Sequence, residues 1–352
     1  MRARAWTALL GVALVVGCSG NYTNPFVGDQ RAVAPRADAA IVFTSNGYRT
    51  QGGGPRELFA ADASGGGLTR LTFCNVDPRR CDTIEAAPAP DRQRMAIRRV
   101  IDDTNKDGRL TAADGQALLL VDLARTVEGT LLASSSQVSG VDWSPAGNLL
   151  LYSGVGEGGQ DDLFLMETTL GTDGKPQTTQ LTASGGVAER RPRFDPSGTR
   201  AVYERSDANA RGQVVIYNTQ TALSAGAGPG AEALAGTPYF VGSDADPAYS
   251  PDGRVIVFRR LTGTGNGGLG TWDILSVRID PFRTDGSGLT RVATGPAFRG
   301  APDWAAKGIV FNEIDAAAGT SRLMLVSPDG TTTQALVTMA AGFEISFPRW
   351  LR

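Results

Sequence analysis

Short runs of β-branched and aromatic residues recur along the chain at nearly even spacing, each bounded by turn-forming residues. The clearest is Asp246-Pro-Ala-Tyr-Ser-Pro-Asp-Gly-Arg-Val-Ile-Val-Phe258. Pro247 to Ser250 reads as a short extended segment and Val255 to Phe258 as a second strand. Between them Pro251-Asp252-Gly253 is a turn, proline fixing φ and glycine free to take φ > 0. Aligned on the aromatic of the first strand, copies centre on Trp143, Phe194, Tyr249, Trp304 and Trp350, with a degenerate copy on Pro88. From Pro88 to Trp350 the successive intervals are 55, 51, 55, 55 and 46 residues. A period of roughly 40 to 50 residues with several strands in each points to propeller blades.

The pattern predicts four strands per unit. Second strands are Ile41-Val42-Phe43, Met95-Ala96-Ile97, Leu150-Leu151-Tyr152, Ala201-Val202-Tyr203, Ile256-Val257-Phe258 and Ile309-Val310-Phe311. A third strand follows each, then a fourth, the weakest lying near Leu234. The first unit, from Ala39, has no Pro-x-aromatic strand before it, while the last copy, Phe347-Pro348-Arg349-Trp350, has no second strand after it. Each supplies what the other lacks. The expectation is an all-β fold: a six-bladed propeller whose C-terminal strand joins blade one and removes the open sheet edges.

Composition narrows the functional classes. The 352 residues include 45 Gly and 19 Pro, which suits an all-β chain rich in tight turns. The formal net charge of −2 gives no basic footprint for nucleic acid. There is no histidine, which excludes His-based triads and His-ligated zinc and removes the commonest general base near neutral pH.

Ahead of the repeats, Arg2 and Arg4 precede the mostly apolar run Ala5 to Val16, too short to span a bilayer, and Val15-Val16-Gly17-Cys18 follows. This resembles the lipobox of bacterial lipoproteins, which implies a signal peptide over 1–18 and acylation of Cys18. Diacylation would supply the two-chain anchor that one acyl group cannot. Ser19 in second place resembles the pattern of lipoproteins sorted to the outer membrane. Ser19 to Asp38 has no apolar periodicity and reads as a tether, leaving 39–352 for the propeller.

The repeat, with Leu-Thr-Arg-Val at 289–292 and Leu68-Thr-Arg-Leu-Thr72 in blade one, is similar to that of TolB-type propellers over Ala39 to Arg352. The resemblance implies fold rather than activity, because propellers host hydrolases, lyases, sensors and scaffolds alike. The pattern differs from TolB in showing no separate α/β domain ahead of the propeller and in carrying a lipobox.

Three sets of residues are candidates for chemistry. Asp103-Thr-Asn105-Lys-Asp107-Gly108-Arg109-Leu110-Thr111-Ala-Ala-Asp114 resembles the twelve-residue calcium loop, with oxygen side chains at positions one, three and five and Gly at six for the turn. Position seven, Arg109, offers its backbone carbonyl, Thr111 stands at nine and a carboxylate at twelve. Its flanks read as strands, so the expected site is a structural calcium loop on a blade-two hairpin; the alternative is a solvated Asn/Asp/Gly turn. Cys74 and Cys81 are the two cysteines left after Cys18, and in an exported chain they read as a disulfide. Glu85, Arg191 and Asp246 precede the repeat's proline position and are expected at the mouth of the channel, lining a polar ligand site or forming a solvated rim.

These features together predict an envelope-anchored lipoprotein, periplasmic or surface-facing, whose propeller binds a protein, peptide or glycan through the long loops joining strands two to three and blade to blade. The alternative from another class is a hydrolase or lyase using channel carboxylates and a metal. A partner role in a Tol and peptidoglycan-linking system rests on the family resemblance alone.

Overall fold

Ile41, Val42 and Phe43 are consecutive and all fully buried, which an amphipathic strand cannot achieve. Each side chain of such a run must have cover on its own face, so the sheet carrying it is sandwiched between two others. A computed structural model describes residues 35–47, 55–72, 81–107, 110, 114–123, 127–134, 138–172, 174–183, 185–206, 212–218, 243–279 and 288–352.

Blade one contains β1 (Ile41–Ser45), β2 (Glu57–Ala61) and β3 (Thr69–Arg70). Blade two is β4 (Asp82–Pro88), β5 (Arg94–Asp102), β6 (Gly115–Asp122) and β7 (Val127–Ser134). Blade three is β8 (Val138–Trp143), β9 (Leu149–Val155), β10 (Asp161–Leu170) and β11 (Pro176–Gln180). Blade four shows β12 (Ala188–Phe194), β13 (Arg200–Ser206) and β14 (Gly212–Asn218); the fourth strand expected near Leu234 lies outside the described residues. Blade five is β15 (Asp244–Tyr249), β16 (Val255–Gly263), β17 (Thr271–Arg278) and β18 (Leu289–Ala293). Blade six is β19 (Phe298–Ala305), β20 (Gly308–Asp315), β21 (Thr320–Val326) and β22 (Thr333–Ala340). The last strand, β23 (Ile345–Trp350), joins blade one, giving the order β23-β1-β2-β3. The ring therefore closes as the sequence predicts, with Ile41 opposite Trp350.

The apolar side chains form six clusters among the described residues, one at each interface between neighbouring blades. Val42 faces blade two, whereas Ile41 and Phe43 face blade six. Blade five repeats the division, Ile256 and Phe258 packing toward blade four and Val257 toward blade six. Each large side chain so buried contributes about 1.5–3 kcal/mol.

The Pro-x-Gly turns hold the first two strands of a blade together. In blade five Gly253 N donates to Ser250 O at 2.9 Å, and the Ser250 hydroxyl accepts from Val255 N at 2.9 Å and donates to Asp252 Oδ1 at 2.6 Å. Gly253 takes φ of +68°, as the turn demands. These turns and those joining strands three and four lie at one end of the ring, the turn end. The two-to-three connections and the crossings between blades lie at the other, the loop end.

Candidate functional site

The innermost strands do not run straight. Each carries a bulge where the register against the second strand slips, three residues before the aromatic position in five blades and at Ile84, four residues before Pro88, in blade two. In five blades the residue there has left-handed φ: Gly140 (86°), Arg191 (54°), Asp246 (52°), Ala301 (47°) and Phe347 (49°). A proline follows the last four, and a bulge tolerates it because the missing N–H has no ladder partner to lose. Each non-glycine residue so placed costs about 1–2 kcal/mol, which the surrounding ring must offset.

The bulges set the bore of the channel. A Cβ on Gly140 would lie 2.5 Å from Arg191 Cα, so the bulges of blades three and four touch. Arg191 reaches across to Asp246, whose other oxygen accepts from Ala301 N at 3.1 Å and forms an ion pair with Arg259, 2.7 Å from its Nε. Arg349 Nη2 donates to Glu85 Oε1 at 2.9 Å. The Phe347 ring lies 5.8 Å from the Arg191 guanidinium and 5.9 Å from that of Arg98. Glu85, Arg191, Asp246, Phe347 and Arg349 together line a void of only about 20 Å³, enough for roughly one water. The structure thus brings together the three residues expected to line a ligand site, but as part of a plug rather than around an open mouth. Their charges are spent on one another and on neighbouring arginines.

Burial and pairing divide these groups. Burial raises the Glu85 carboxyl above its ordinary range despite Arg98, Arg191 and Arg193 nearby, and raises Glu204 likewise against the pull of Arg191. Burial also presses on Asp246, but there Arg191, Arg259 and the Ala301 amide prevail and hold it below the ordinary range. Desolvation pushes the Arg98 guanidinium down to about 10.

A larger cavity, about 450 Å³, opens at the turn end. Its walls are the aromatics that end the innermost strands, Trp143, Phe194, Trp304 and Trp350, with turn residues Pro90, Pro145, Pro196 and Pro251 around the rim. Its floor is formed by the residues one step before those aromatics, Asp142, Arg193, Asp303 and Arg349, joined by Arg352. Alternation explains the division: the aromatic turns into the blade interface while its predecessor faces the channel.

The floor residues hold the ring together. Asp142 Oδ2 accepts from Phe194 N of the next blade at 2.9 Å, and Asp303 Oδ2 from Trp350 N at 2.7 Å. Arg193 bridges the two carboxylates, its Nη2 on Asp303 and its Nε 3.5 Å from Asp142. Arg352 Nη2 reaches Asp303 at 2.9 Å. Burial raises Asp142, with Asp303 adding to the effect; Asp303 is buried too, but Arg193 and Arg352 keep it below the ordinary carboxylate range. Sequence reasoning overlooked this set. The signal was present as a charge directly before the aromatic in Val-Asp-Trp143, Pro-Arg-Phe194, Pro-Asp-Trp304 and Pro-Arg-Trp350.

The segment 103–114 connects β5 to β6 at the loop end of blade two, as expected, although Gly108, Arg109 and Thr111 lie outside the described residues. Asp114 is buried, and its Oδ1 accepts from the Thr104 hydroxyl at 3.3 Å and lies 3.5 Å from Asn105 N. Asp107 N donates to Asn105 Oδ1 at 2.9 Å. Positions two, three and five of the loop thus curl onto one another or onto position twelve. Among the described residues no three His, Cys, Asp or Glu side chains cluster in a way that could hold a metal ion. Cys18 and Cys74 lie outside the described residues, and Cys81 immediately precedes β4. Among the described residues no helix is long and apolar enough to cross a membrane.

Six blades of antiparallel strands around a closed channel make this chain a six-bladed β-propeller. Its fold is that of the TolB propeller: TolB from Acinetobacter baumannii superposes with a TM-score of 0.65 at 16% identity, over 89% of this chain and 66% of that one. A putative TolB from Agrobacterium tumefaciens superposes with a TM-score of 0.56 at 16% identity, over 92% of this chain and 100% of that one. No protein-family model matches the sequence, and no curated protein matches it.

Proposed function

We propose that this chain is a binding scaffold of the bacterial envelope, lipidated at Cys18 and held on the tether 19–38, which takes a segment of a partner protein into its turn-end cavity. The observation that carries this reading is the cavity itself. It is about 450 Å³, within the range of ligand sites, with apolar walls and a few convergent charged groups beneath. Its prolines and buried aromatics are fixed before any ligand arrives, which lowers the ordering cost of binding.

Two features favour a protein segment over the other readings. The carboxylates on the floor, Asp142 and Asp303, are each engaged by a backbone amide of the next blade and by arginine, an arrangement suited to holding blades rather than to cycling a proton. The indole N–H groups of Trp143 and Trp350 are taken by Ala87 O and Gly308 O, and Arg94 covers the Trp143 ring, so these rings offer no open platform for a sugar. The likeness to TolB supports an envelope setting and, more loosely, a Tol-like partner system. In the same reading the 103–114 loop binds a structural calcium ion and Cys74 pairs with Cys81; Cys81 being a disulfide cysteine supports the pairing.

A crosslinked pull-down of the full lipidated protein from its own envelope tests the proposal, with Ala306→Trp as the comparison. Ala306 is exposed on the cavity wall, so the indole would fill the opening. Loss of the captured partner with Ala306→Trp is expected. A partner retained by Ala306→Trp but lost on substituting loop-end residues would move the site to the other end of the ring.

A further inference from the structure

Three arginines, Arg193, Arg349 and Arg352, and three aspartates, Asp142, Asp195 and Asp303, line the cavity, and they differ in how fully they are engaged. Asp195 belongs to its own turn, taken by Arg200 Nε, the Ser197 hydroxyl and the amides of Thr199 and Arg200. Arg349 is committed to Glu85 and Val141 O, and Arg193 to the two aspartates. Arg352 is different. Among the described residues its one carboxylate contact is to Asp303 Oδ1, an oxygen already held by Arg193, and its only other hydrogen bond is a long one, 3.4 Å, to Trp304 O. Both contacts use Nη2, which leaves Nε and Nη1 available, and the side chain is 44% exposed while Arg193 and Arg349 are almost covered.

We infer that Arg352 reads a carboxylate on the ligand, so that the segment entering the cavity presents one carboxylate beside apolar side chains. This rests on the cavity being the binding site. A guanidinium with two free donors beside an apolar wall is suited to a planar carboxylate, which it meets with paired hydrogen bonds, and the wall lowers the local dielectric that would otherwise screen the pair. A cationic ligand group would instead meet the exposed Arg352 guanidinium. The two aspartates cannot receive it without giving up the amides that join the blades.

The carboxylate could be a chain terminus or an acidic side chain, and three probes separate these: N-acetyl-Leu-Phe with a free carboxylate, its C-terminal amide, and N-acetyl-Glu-Phe-amide. Binding is read by calorimetry and by tryptophan fluorescence, since three indoles line the cavity. One or both acidic probes should bind about 10-fold tighter than the neutral amide, with the preference shrinking in high salt. Arg352→Gln should remove the preference and leave the amide's affinity unchanged, whereas Arg352→Lys should restore part of it; a single cooperative unfolding transition in all three proteins shows that the fold is intact, the Gln variant melting slightly lower for its lost contact with Asp303. Equal binding of acid and amide to the unmodified protein overturns the carboxylate inference and leaves the cavity reading standing. No binding of any probe overturns both.

Discussion

Asp303 and Trp350 meet where the ring closes, the carboxylate of blade six accepting the backbone N–H of the last strand at 2.7 Å. The same carboxylate carries Arg193 and Arg352, so one residue, 1% exposed, ties the closing strand to two cations. Replacing Asp303 with Ala strands a buried guanidinium and an amide together, and a loss of about 3–5 kcal/mol is expected. Urea denaturation of Asp303→Ala measures it; a loss below about 1 kcal/mol would show that β23 is held by its ladder and the Trp350 side chain instead.

The bulges give a paired prediction of opposite sign. At Ala301, φ of 47° is a strained choice for alanine, and Ala301→Gly should stabilise by about 0.5–1 kcal/mol. At Gly140 an added Cβ would press on Arg191 Cα at 2.5 Å, and Gly140→Ala should cost about 2–3 kcal/mol. Thermal unfolding of both variants checks the pair, and changes of the same sign would contradict the role given to the bulges.

Stability should vary with pH in two phases. Asp246 and Asp303 are held below the ordinary carboxylate range, so what they contribute is complete above about pH 4 and is lost as pH falls toward their folded values. Glu85, Asp142 and Glu204 are raised by burial, so their ionised forms cost stability near neutrality, and protonation on moderate acidification recovers it. Urea midpoints should therefore be no lower at pH 5 than at pH 7.5, and should drop steeply below about pH 4. A steady decline from pH 7.5 downward would contradict the burial of the raised group.

Calcium binding is open to direct measurement. Calorimetry should show one site with a Kd on the order of 10⁻⁴ to 10⁻³ M, as extracellular modules have, and Asp103→Ala or Asp107→Ala should abolish it. Unchanged calcium uptake by these variants would remove the loop from consideration.

The fold was legible because each blade repeats its own turn chemistry. Pro-x-Gly marks the strand-one to strand-two connection in blades three, four and five, and a continuous apolar triplet such as Ile256-Val257-Phe258 marks a strand covered on both sides. Even the closing strand could be inferred, from a half-unit missing at one end and present at the other. The channel was harder to read. Glu85, Arg191 and Asp246 share a position in the repeat, but the left-handed bulge that aims Arg191 and Asp246 inward is a backbone property that no side-chain pattern announces. The cavity is assembled from single residues about fifty positions apart, and its depth follows from how far the bulges narrow the bore below it. Residues 103–114 show the reverse case: the spacing of oxygen side chains was explicit in the sequence, while the described part of the loop shows only that it curls upon itself.

The pairing of β1 with β23 also decides how the ring responds to tension. Ala40 O accepts from Leu351 N at 2.8 Å, so the chain enters the propeller beside the strand that closes it and sits between β23 and β2. A pull along β1, delivered through residues ahead of Ala39, would slide that strand against both neighbours and strain its hydrogen bonds in parallel instead of peeling them one by one. Force entering there would load both ladders of β1 at once, so blade one would resist it better than a pull that peels an edge strand from its single neighbour.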